Sequence, residues 1–202
     1  MTPGPHPYQE LSMTTTGLVL GLTMVIIYGL MWKKPEAAQK RARTLARDWN
    51  AGVYAMGIGM VWFWLLVAPE GNGLLAKLAM PLNEFSGMKR YLQILIPLAA
   101  LGMIFYVREF LFVRGLGLCF LMAAAPILYS AFLKEPGSRV LLSLVAYAMI
   151  VKGLFFVGMP YLYRDGVAWL SASQSRWKVA SLTGLTFGAL ILICSITVWR
   201  GY

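Results

Sequence analysis

Apolar residues in this chain come in long, nearly unbroken blocks, without the alternation of half-buried strands or the single stripe of a soluble helix. Six blocks stand out: Gly17–Trp32, Asn50–Ala68, Tyr91–Val107, Gly115–Leu133, Val140–Pro160 and Val179–Trp199. Each comes close to the roughly 20 residues that a helix needs to cross a bilayer. The alternating pattern of a membrane barrel is absent, and a lipid-exposed backbone must satisfy its own hydrogen bonds, so the blocks read as helices. The expected fold is an all-α integral membrane protein, with about six transmembrane helices in one compact bundle forming a single domain over residues 1–202. Between Tyr91 and Leu133 only Arg108, Glu109 and Arg114 interrupt the apolar run, which predicts a tight helical hairpin there. The first block is expected to be a retained span. No Lys or Arg precedes it and Lys33-Lys34 follows it, the reverse of a secretory signal.

Composition agrees and narrows the class. Of 202 residues, 59% are hydrophobic and 13% charged, with a mean hydropathy of +0.66. A soluble domain has about a quarter of its residues charged and about half apolar. A soluble enzyme, a disordered tail and a disulfide-stapled domain are thereby excluded.

The charge is strongly one-signed, with 18 Lys and Arg against 8 Asp and Glu. It is also unevenly placed. The first connection carries Lys33, Lys34, Lys40, Arg41, Arg43 and Arg47, the third Arg108 and Arg114, and the fifth Arg164, Arg176 and Lys178. The intervening side carries Lys77, Lys89, Arg90, Lys134, Arg139 and Arg200, matched by more nearly as many acids. The positive-inside rule then puts the first set in the cytoplasm and both termini on the non-cytoplasmic side. Trp32, Trp49, Tyr161, Tyr163 and Trp177 fall at the cytoplasmic boundary, and Trp62, Trp64, Trp199 and Tyr202 near the outer one, as amphipathic rings should. The expected location is the cytoplasmic (inner) membrane of a bacterium.

Within the first connection, Pro35 and Glu36 suit a helix start and the basic residues suit its end, which predicts a short surface helix. Its cations, Lys33, Lys34, Lys40, Arg41, Arg43 and Arg47, are candidates for holding anionic lipid headgroups. The plainer reading is that they only enforce topology. Nucleic acid is not an expected partner, because no stacking aromatics are interleaved with the charges. The outer stretch from Pro69 to Arg90 contains Leu74–Pro81, a short amphipathic segment suited to the interface. Spans one and two, and again five and six, are joined by basic, aromatic-edged loops of similar length, which suggests a weak internal repeat. Such residues belong at any cytoplasmic boundary, so coincidence explains the likeness equally well.

Candidate chemistry is sparse. His6 is the one histidine, Cys119 and Cys194 read as packing residues near opposite ends of the spans, and no Asp or Glu lies inside a span. Converging metal or haem ligands are missing, as are a nucleophile–base pair and a phosphate loop. No cofactor is evident, no metal site is expected, and no catalytic residue is assigned. Lys152 is the exception, a lone cation within span five and some 18–20 Å of helix from either flanking arginine. An intramembrane cation is a functional candidate. Glu109, flanked by Arg108 and Arg114, is its candidate partner group, together with carbonyls freed by Pro97 or Pro126, a lipid, or the acid of another subunit. Pro97, Pro126 and Pro160 interrupt three spans, either as site-building breaks or simply as the prolines common in membrane helices.

Small residues predict where helices touch. Gly17 and Gly21, then Ala51, Ala55 and Gly59, then Ala180, Gly184 and Gly188 recur at helical spacing and permit close approach. Packing faces without reactive groups predict a non-enzymatic subunit or assembly scaffold of a larger membrane complex, with lipids and other subunits or copies of itself as partners. The alternative is a small-solute, ion or lipid transporter with Lys152 at its site.

Overall fold

A computed structural model of the chain describes residues 6–68, 78–80 and 87–201. The Leu74–Pro81 segment lies largely outside these residues, as do Glu70, Lys77, Glu84 and Tyr202. Helices dominate and no strand occurs among the described residues. In chain order they are α1 (Met13–Lys33), α2 (Pro35–Leu45), α3 (Trp49–Leu66), α4 (Lys89–Tyr106), α5 (Leu111–Ala131), α6 (Val140–Gly158), α7 (Tyr161–Ser171) and α8 (Gln174–Thr197). A 3-10 turn, Gly137–Arg139, leads into α6.

Five of these helices, α1, α3, α5, α6 with its leading turn, and α8, are long and apolar enough to cross a membrane. The third predicted span is α4, which has 18 residues and opens with Lys89 and Arg90. Side-chain caps mark the starts of two helices. Ser12 accepts from Thr15 N at the start of α1, and Asp48 accepts from Ala51 N at 3.1 Å at the start of α3. Pro35 occupies the first turn of α2.

The pairing of helices differs from a simple chain of hairpins. The first and last long helices, α1 and α8, lie antiparallel along their whole length. A Cβ on Gly17 would overlap Ser195 and the Trp199 ring, one on Gly21 would come within 2.7 Å of Leu192, and one on Gly184 would enter the Tyr28 ring. Buried tryptophans clamp both ends of this pair. Trp177 donates from its indole N–H to the Met31 carbonyl at 3.1 Å, and Trp199 donates to Ser138 Oγ at 2.8 Å. Thr14 donates to the Trp199 carbonyl, which joins the start of α1 to the end of α8. Tertiary packing thus buries Trp177 and Trp199 against neighbouring helices, although both stand at the ends of α8.

Helix α5 forms the second axis. It runs parallel to α3, with Gly52 against Leu111, Gly115 against Ala55 and Met56, and Gly59 against Leu118. On its other side it meets α6 where Gly117 and Gly153 face each other. The core at the end away from α2 joins the two axes through Met13, Ala124, Ile127, Leu142, Ala146, Ile191 and Trp199. Ser130, Ser181 and Ser195 are fully buried, and each returns its hydroxyl to a carbonyl of its own helix.

The predicted hairpin between Tyr91 and Leu133 is corrected. The turn is short and Phe110 takes a left-handed conformation (φ 55°) to make it. Yet α4 packs on α3 and not on α5. A reciprocal pair fixes it there: Trp64 Nε1 donates to the Gln93 carbonyl at 3.1 Å, and Gln93 Nε2 donates back to the Trp64 carbonyl at 3.3 Å. Gly102 on α4 has open space where a Cβ would go, so α4 lacks the close glycine contact that ties α3 to α5.

Candidate functional site

Charge concentrates at the end of the bundle where α2 and α7 lie. Each is an 11-residue amphipathic helix inserted between two long ones. Their lengths match, but the long helices they connect do not pack as hairpins, because α1 pairs with α8 and α3 with α5. The two short helices instead meet each other, and Tyr163 of α7 donates its hydroxyl to the Ala42 carbonyl of α2 at 3.2 Å. The Tyr163 ring stands edge-on to Phe156 with 5.5 Å between centroids. Burial pushes the Tyr163 phenol above its ordinary value.

Between α2, α7 and the α4–α5 turn lies a groove of about 780 Å³. Arg43, Arg47 and Asp48 line it from α2 and the turn after it, Tyr163, Arg164, Val167 and Ala168 from α7, and Phe110 from the α4–α5 turn. Phe110 also borders a second hollow of about 540 Å³ that contains Arg108, Glu109 and Arg114. Arg114 donates to the Val157 carbonyl at 2.8 Å, near the end of α6, while its buried Nε has no partner among the described residues.

The six cations of the first connection therefore separate. Arg43 and Arg47 line the groove; Lys33, Lys34, Lys40 and Arg41 do not. Arg164 joins them from α7, a helix where the sequence predicts a connecting loop. The available signal was the spacing Tyr163, Val167, Leu170, the less exposed positions of α7.

Lys152 sits on the outer face of α6, among exposed Val151, Leu154 and Phe155, and lines neither hollow. Glu109 lies in the second hollow, and no contact with Lys152 occurs among the described residues. The helix around Lys152 ends sooner than its flanking arginines suggest. Helix α6 ends at Gly158 and Pro160 stands in the break before α7, so Lys152 is six residues from the helix end, about 9 Å of rise. Pro160 thus lies between two helices, whereas Pro97 and Pro126 lie inside α4 and α5.

Of the small residues, Gly17, Gly21, Gly184 and Gly188 line the α1–α8 contact and Ala55 and Gly59 the α3–α5 contact. Ala51 and Ala180 are only half-buried and stand beside the faces, whose buried positions include Gly52 and Ser181. Cys119 donates to the Ala55 carbonyl at 3.4 Å, and both cysteines are free. His6 is buried. Tyr8 N–H donates to its Nδ1 at 3.2 Å, so the other ring nitrogen carries the proton and donates to the Leu78 carbonyl at 3.0 Å. Trp62 donates its indole N–H to the Tyr8 hydroxyl, which anchors the amino-terminal segment over α3. Among the described residues no group of His, Cys, Asp and Glu converges as a metal site would require.

No family model matches the chain, and neither a curated protein nor a solved structure matches it.

Proposed function

We propose that the chain is inserted in a membrane as a six-span bundle with α2 and α7 on the cytoplasmic side and both termini outside, and that it serves as a non-enzymatic subunit or assembly scaffold of a larger membrane complex. A bacterial cytoplasmic membrane is the proposed location. Long apolar helices with outward-facing Val19, Ile26, Ile58, Leu98, Leu144 and Ile193 support insertion, because so much exposed apolar surface is unstable in water. The basic end supports the orientation.

The observation that carries the scaffold reading is the outward position of Lys152. A solute-binding lysine of a transporter faces the bundle interior or a water-filled path. On the outer face of α6, the cation addresses whatever surrounds the protein: lipid phosphates or an acid on a neighbouring subunit. The test is purification from native membranes in mild detergent, comparing wild type with Lys152→Leu. A stable co-purifying membrane protein, retained by wild type and weakened in the variant, is expected. A monodisperse monomer without partners from both would refute the reading.

A further inference from the structure

We propose that the groove between α2 and α7 is a specific site for the phosphate headgroup of an anionic phospholipid. The inference rests on the membrane-inserted reading and goes beyond a general attraction of basic loops to lipid.

Three arginines line this groove: Arg43 of α2, Arg47 in the turn after it, and Arg164 of α7, far away in sequence. A guanidinium offers a planar fork of donors that fits phosphate oxygens in pairs. Arg43 and Arg47 have no carboxylate partner among the described residues. Arg164 uses its Nε on Asp165 at 2.8 Å, which leaves its terminal nitrogens for a ligand. The one acid lining the groove, Asp48, is engaged with the start of α3 through Ala51 N. Arg164 also lies in the first turn of α7, where the helix dipole is already positive and a cation is unfavourable on its own. Excess positive potential is therefore built into the groove, and a bound anion relieves it.

The remaining lining fits an amphiphile. Phe110, Val167 and Ala168 give the groove apolar walls beside its cations. Its volume of about 780 Å³ falls within the roughly 300–1,000 Å³ of small-molecule sites. A soluble phosphate would need the cations but not those walls. Were Arg43 only to complement the end of α2, neither Arg47 beyond that helix nor Arg164 on another would share the same hollow.

The experiment uses full-length protein in nanodiscs of phosphatidylcholine with and without phosphatidylglycerol, released for native mass spectrometry. Wild type is expected to retain phosphatidylglycerol, and Arg43→Gln/Arg47→Gln/Arg164→Gln to lose about tenfold or more of it. Lys33→Gln/Lys34→Gln/Lys40→Gln removes the same charge from the same end outside the groove and should retain the lipid as wild type does. If the arginine variant fails to fold, Ala168→Phe fills the groove without changing charge and should displace the lipid. Equal retention by the groove variants, or equal loss in the lysine control, would overturn the site. Binding of inorganic phosphate without lipid retention would assign the groove to a soluble anion, and a co-purifying acidic chain lost with the same arginines would assign it to a protein; either overturns the lipid assignment. Carbonate extraction of the same variants reads membrane insertion separately, so failure of the site and failure of the insertion reading are distinguishable.

Discussion

Gly153 offers the sharpest test of how this bundle is held together. A Cβ there would stand 2.8 Å from the Gly117 carbonyl oxygen of α5, and a Cβ on Gly117 would stand 2.8 Å from the Gly153 carbonyl. The obstacle is backbone on both sides, so no rotamer change relieves it. Restoring an ordinary separation of about 3.5 Å requires α5 and α6 to part by about 0.7 Å, a gap that forfeits a quarter to a half of the dispersion energy of the neighbouring contacts. Overpacking of this kind costs about 1–3 kcal/mol. Against it stands a gain of up to about 1 kcal/mol, because alanine is the better helix former. Gly57 in α3 separates the two effects, since a Cβ there meets nothing within 4 Å. Gly57→Ala receives the helix gain alone. Unfolding by SDS titration in mixed micelles, followed by tryptophan fluorescence, should place Gly57→Ala at or above wild type and Gly153→Ala below Gly57→Ala by about 1–3 kcal/mol. Equal shifts for the two variants would refute backbone-to-backbone contact as the basis of the α5–α6 interface.

Three further outcomes are expected. Trp177→Phe keeps a buried ring but removes the donor to the Met31 carbonyl, and should destabilise the α1–α8 pair by about 1–2 kcal/mol in the same titration. His6→Ala leaves the Leu78 carbonyl without its donor and releases the amino-terminal segment; limited proteolysis there should accelerate roughly five- to thirty-fold, as a loss of one to two kcal/mol implies. Tyr163 binds its proton more tightly in the folded protein than at its ordinary value of 10.0, so its contribution is complete below pH 10 and is lost as pH rises through the higher folded value. A cysteine cross-link between α2 and α7 should therefore form less readily above pH 10 in wild type, and Tyr163→Phe should remove that pH dependence.

How far the site could be read from sequence depends on the kind of information involved. Helix α2 was legible from Pro35, Glu36 and the following basic residues, because capping and dipole preferences are local. Helix α7 was not, because its stretch carries only the basic and aromatic residues found at any such boundary. Its ordering comes from contact with α2 and α8. Arg47 and Arg164 are more than a hundred residues apart, and nothing local states that they share a groove.

The sequence by itself determined that the protein is helical, where its long apolar helices lie to within a few residues, and which end of the bundle is basic. Those properties follow from the length and composition of contiguous segments and need no partner. Only the tertiary structure decided that α1 pairs with α8, that α4 leans on α3, that Trp177 and Trp199 are clamps inside the bundle, and that Lys152 faces outward. The reason is physical. Every face of a membrane helix is apolar, so hydrophobicity cannot say which face is inside; that choice belongs to glycine-sized gaps and a few cross-helix hydrogen bonds, which exist only once two helices have met.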